Sequence, residues 1–136
     1  MRRTIFMSTR IGSALIAIGV FLAAGPLSAH HSTTANFDAS KTFTFAGTLT
    51  KVDWRNPHIE LSLDATNVRG QVEAWVIEAA SPSFFRGRNV GKTDFVQAIG
   101  EGVTVDVYRA RDGNLYGSLL KLTFSSGKSV TSVPGQ

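Results

Sequence analysis

The sequence contains no cysteine. That excludes disulfides, thiolate zinc and iron–sulfur sites, a cysteine nucleophile and a lipid-modified cysteine anchor. Charge is sparse too, at 18% of the 136 residues. No uninterrupted apolar run reaches the roughly 20 residues that a membrane-spanning helix needs. There is no G-x-S-x-G elbow, no G-x-G-x-x-G and no P-loop, so hydrolase and nucleotide chemistry have no motif to rest on. Histidine is rare, with three in the chain: His30, His31 and His58.

What is present begins with a leader. Arg2, Arg3 and Arg10 form a basic start, Ile11 to Ala24 is apolar and uncharged, Gly25-Pro26 breaks the run, and Leu27-Ser28-Ala29 ends on a small residue. This pattern predicts a Sec-type signal peptide over residues 1–29, cleaved after Ala29. Arg2-Arg3 fits twin-arginine export less well. The expectation is a periplasmic or secreted protein with no stable membrane anchor after cleavage. Removing the three leader arginines from 14 basic residues leaves 11 against 10 acidic ones, a net charge of +1. Such a balance carries no nucleic-acid footprint. The remaining residues, 30–136, are enough for one domain with a core.

Within that domain the alternation of apolar and polar residues predicts strands. The spacing gives an extended lead-in over 30–40 and a long first strand over 42–54. In that strand Phe43, Phe45 and Leu49 share one parity, Val52 and Trp54 the other, and Gly47 lies between. A parity change next to a mid-strand glycine reads as a bulge or bend. Arg55-Asn56-Pro57 is a turn, and a half-buried strand follows from Ile59. Val72 to Glu78 has apolar residues of both parities and reads as a central, two-faced strand. Ser81-Pro82 starts a short helix to Arg86, and Thr93 caps a second short turn. Strands follow over 103–108, 115–124 and 128–133, with Arg111-Asp112-Gly113-Asn114 as a hairpin turn. The order predicts an all-β fold with one or two short helices: an OB-like, five- to six-stranded Greek-key barrel. A small open sandwich is the competing architecture.

Several of these residues also form a pattern. His30-His31-Ser32, Phe37-Asp38, Lys41, Gly47, Trp54, Asn56-Pro57-His58, Trp75 and Glu78 in WVIE, Ser81-Pro82 and Arg111-Asp112-Gly113 resemble the DUF6152 family of small exported bacterial proteins of unknown function. The resemblance implies export and a small β-domain. It transfers no activity and no catalytic residue.

The histidines carry the sharpest chemical expectation. Cleavage after Ala29 makes His30 the terminal residue, and its amine and ring Nδ1 can chelate one ion. An imidazole from His58, or from His31, completes a planar three-nitrogen set. That geometry suits copper, which binds most tightly among the first-row divalent ions. Asp38 or Asp53 would add an oxygen ligand or orient a ring. The alternative reading leaves His30 and His31 as a solvated terminus and His58 as an ordinary turn residue. Then Trp54, Arg55, Asn56 and Pro57 form an interaction face for an unknown periplasmic protein or a small ligand, without metal. A copper redox enzyme is a third class, but no catalytic constellation supports it. Glu60 alternates outward, and Glu73 and Glu78 differ in parity, so no acid–base pair is expected. The other aromatics read as core, and Arg86, Arg88 and Lys92 as a solvated rim. A haem chaperone is disfavoured because no histidine follows His58.

Overall fold

The computed structural model describes residues 33–134; the expected leader, 1–29, lies outside them. The described chain is mostly β. Its strands are β1 (Phe43–Asp53), β2 (Ile59–Thr66), β3 (Val72–Ala79), β4 (Gly102–Arg109), β5 (Tyr116–Thr123) and β6 (Ser129–Thr131), with short helices at Pro82–Arg86 and Lys92–Val96. β1 pairs antiparallel with both β2 and β4, β2 with β3, and β4 with β5. A parallel pairing of β3 with β5 closes the ring into a five-stranded mixed barrel. β6 adds to β5 as an extra strand outside the ring. The closed barrel expected from the sequence is therefore present, and the open sandwich is not.

The barrel interior follows strand alternation. Leu49, Leu61, Leu63, Ile77, Val105, Val107, Leu119 and Leu122 are fully buried. Burying side chains of this size contributes about 1.5–3 kcal/mol each before entropy is charged. β1 serves both neighbours by bending. Its register slips between Leu49 and Lys51, so Leu49 faces inward before the slip, and after it Val52 packs against the core and Trp54 meets the helix rings. Gly47 has a separate role. A Cβ there would lie 2.9 Å from the Asp64 carbonyl oxygen, so the bent strand meets β2 where only hydrogen fits.

The helices close one end of the barrel with aromatic rings. Phe85 and Phe95 are wholly buried; their centroids lie 5.3 Å apart, and Trp54 sits 5.4 Å from Phe95. The Ser81 hydroxyl caps the first helix by accepting from the Phe84 N–H, as Ser81-Pro82 implied. The second helix differs from expectation. Its N-cap is Gly91, whose N–H donates to Asp94 Oδ2 at 2.9 Å, because an aspartate one turn in reaches back better than Thr93 reaches forward. Among the described residues no helix is long and apolar enough to cross a membrane.

Two further expectations are corrected. β3 is one-faced: Trp75, Ile77 and Ala79 are buried, while Val72 and Ala74 are exposed. The helices pack on a barrel end and leave the outer wall of β3 uncovered. The lead-in is also not extended throughout. Thr33–Asn36 forms a helical turn, and Phe37 then bridges to Ala110 and is 3% exposed. Burying that ring on the barrel wall stops the segment from running free.

Substituting Gly47→Ala should cost about 1–3 kcal/mol through overpacking. Urea unfolding should show a lower midpoint with an unchanged slope; an unchanged midpoint would mean that β2 gives way.

Candidate functional site

The turn Arg55-Asn56-Pro57 delivers His58 to the start of β2, and a cis peptide joins Asn56 to Pro57. Two register relations then assemble a cluster on the outer wall. Glu60 on β2 lies directly opposite Glu78 on β3, and β3 runs parallel to β5, where Tyr116 resides. The His58 Nδ1 lies 3.2 Å from Glu78 Oε1, and the Tyr116 hydroxyl donates to Glu78 Oε2 at 2.8 Å. One carboxylate thus holds an imidazole with one oxygen and a phenol with the other. A neutral imidazole that donates Nδ1–H to a carboxylate presents Nε2 as its lone-pair nitrogen. Among the described residues, no side chain takes that nitrogen.

The phenol is an unusual acid. Burial raises the Tyr116 pKa above the ordinary tyrosine range, and its hydrogen bond to Glu78 and the charges of Glu78 and Glu60 push it further the same way. The proton therefore stays on Tyr116, and Glu78 stays an acceptor. Phe37 stacks on the Tyr116 ring at 5.5 Å. The Asp38 N–H donates to the Arg109 carbonyl, and the Arg111 N–H to the Asn36 carbonyl, both at 2.9 Å. These contacts bind the start of the domain to the same wall as His58.

The remaining expected residues fall as follows. Asp53 lies 3.3 Å from Arg55, which also reaches Glu60 at 3.6 Å. At 64% exposure of the arginine side chain, such pairs contribute at most about 1 kcal/mol. Asp38 accepts from the hydroxyl and the N–H of Ser40, which hold its carboxyl below the usual range. Trp54 is half-buried against the helices; Arg55, Asn56 and Pro57 are exposed. His30 and His31 lie outside the described residues. Among the described residues, no group of three His, Cys, Asp or Glu side chains could hold a metal ion.

Sequence reasoning missed Glu78 and Tyr116. Alternation within a strand reports which wall a side chain faces. It does not report which strand lies beside it, and Glu78 joins His58 and Tyr116 through pairings across the barrel. The parity of Glu78, shared with Glu60 in paired strands, was the available signal.

Residues 18–119 match DUF6152, a family of unknown function. The chain belongs to that family. The DUF6152 match takes in His58, Glu78 and Tyr116. No curated protein and no solved structure matches the chain.

The raised Tyr116 pKa has a definite sign. Its contribution to stability is complete below the unfolded tyrosine pKa of about 10 and is lost as pH climbs above it. An ultraviolet titration should show Tyr116 ionising above the ordinary range, and Tyr116→Phe should remove that late component. If the late component survives in the variant, the Tyr116–Glu78 contact is not its source.

Proposed function

We propose that this protein is an exported β-barrel that binds or handles copper, using His58 together with an N-terminal His30. The observation that supports this reading is the hold on His58. Metal-binding histidines characteristically donate their second ring nitrogen to a carboxylate, which fixes ring orientation and raises basicity. Glu78 stands in that relation to His58, and Tyr116 steadies Glu78. The Phe37 anchor supplies reach. Six residues lie between His30 and Phe37, four of them in the Thr33–Asn36 turn, so the span stays below the roughly 23 Å of a fully extended segment, and Phe37 is stacked on a partner of Glu78.

In this reading, export and cleavage after Ala29 free the His30 amine, which chelates with its own Nδ1. His58 Nε2 adds the third nitrogen, with His31 as the alternate ligand. No catalytic step is included. The exposed Arg55–Pro57 turn belongs to the second reading, a metal-free module that binds a protein.

The test is a copper(II) titration of the exported protein, its N-terminus established by intact mass, followed by electron paramagnetic resonance. One nitrogen-rich site per chain is expected. His30→Ala and His58→Ala should each abolish it, and Glu78→Gln should weaken it by about 10–100-fold. Weak binding indifferent to His58 and Glu78 would reduce the site to a terminal chelate and favour the interaction module.

A further inference from the structure

The barrel end opposite the helices holds a cation, Arg109, with no ion-pair partner among the described residues. Arg109 ends β4, and its parity is that of Val103, Val105 and Val107, which are all buried. Its neighbour across the β4–β5 ladder is Gly117, which offers no side chain to pair with. The guanidinium carbon lies 5.1 Å from the Trp75 ring and 5.5 Å from the Phe43 ring. Phe45 completes the aromatic group, 4.6 Å from Trp75.

Such rings attract the cation but provide no hydrogen-bond acceptor in the plane of the guanidinium. The Arg109 Nε is buried and has no hydrogen-bond partner among the described residues. No carboxylate among the described residues forms an ion pair with Arg109. The acid beside Trp75 is already engaged: Glu73 accepts from Asn67 with one oxygen and from the Trp75 indole N–H with the other. The side chain as a whole is half-buried, so the cost falls on the Nε–H, which is withdrawn from water without a partner.

We propose that Arg109 and Phe43 form a binding site at this mouth for a small organic carboxylate with an apolar body. The guanidinium fork matches a carboxylate in two parallel hydrogen bonds. One guanidinium balances one negative charge, which favours a monoanion over a phosphate dianion. Phe43 remains 37% exposed, and it gives the apolar body a surface beside the charge. This site is separate from His58, so its fate is independent of copper.

Trp75 is the reporter, because its ring touches the cation and the chain has two tryptophans. In a Trp54→Phe background, emission is followed during titration with benzoate, acetate and phenyl phosphate. A saturable change with benzoate is expected, with acetate and phenyl phosphate each weaker. Arg109→Gln should weaken benzoate binding by roughly tenfold or more, and Phe43→Ala should weaken benzoate more than acetate. No saturable change, or unaltered binding in Arg109→Gln, would overturn the proposal. Tighter binding of phenyl phosphate would overturn the carboxylate assignment. If circular dichroism shows Arg109→Gln unfolded, Arg109→Lys decides, since it keeps the cation and loses the fork. Full benzoate affinity in that variant would also overturn the proposal.

Discussion

Barrel closure depends on a short parallel seam, in which Val76, Ile77 and Glu78 of β3 face Tyr116, Gly117 and Ser118 of β5. A sheet that curls without closing leaves two edges of unpaired N–H and C=O groups. The seam pairs them, but only where the two strands approach closely. Gly117 allows the approach: a Cβ there would lie 3.1 Å from Val107 and 3.2 Å from Ile77. Beyond Ser118 the two strands diverge, and β6 takes over the vacated edge of β5. Ser132, buried at the end of β6, accepts the Ala80 N–H on its hydroxyl oxygen at 2.9 Å. The extra strand therefore continues the closure that the seam begins.

The same seam divides the molecule chemically. At one end, aromatic rings from the helices meet Trp54 and Phe124. At the other, Phe43, Phe45 and Trp75 are joined by a cation. On the outer wall, where β2, β3 and β5 run side by side, the polar pairings of His58, Glu78 and Tyr116 lie close to solvent. An apolar interior and a polar outer cluster share one set of strands because successive side chains point to opposite faces.

Much of this was legible because it is local. The Ile59 strand start, the Ser81-Pro82 helix start and the turn at Asn56-Pro57 each depend on residues within a few positions of one another. The order of strands and helices was enough to name a barrel. What the sequence did not disclose was lateral. The one-faced character of β3 arises because the helices cover a barrel end and not its wall. The burial of Phe37 requires Tyr116, which lies on a strand far along the chain. Glu78 was set aside on parity alone, and its meeting with His58 and Tyr116 is a product of register between strands. His58 itself stood out through its rarity and its place after a proline turn.

The seam also orders events in time. β1, β2 and β3 are consecutive and pair across short turns, as do β4, β5 and β6. The β1–β4 ladder and the seam instead join distant residues, Phe43 to Val107 and Val76 to Tyr116, so the loops they close are far longer and entropically dearer. His58 and Glu78 can meet as soon as the β2–β3 hairpin forms, whereas Tyr116 reaches Glu78 only after the ring has closed. Phe37 does not depend on the seam: Ala110, which it bridges, and Tyr116, on which it stacks, both belong to the β4–β5 hairpin. The domain's first residues are therefore docked on one hairpin, and Tyr116 is the residue through which that docked segment is joined across the seam to Glu78.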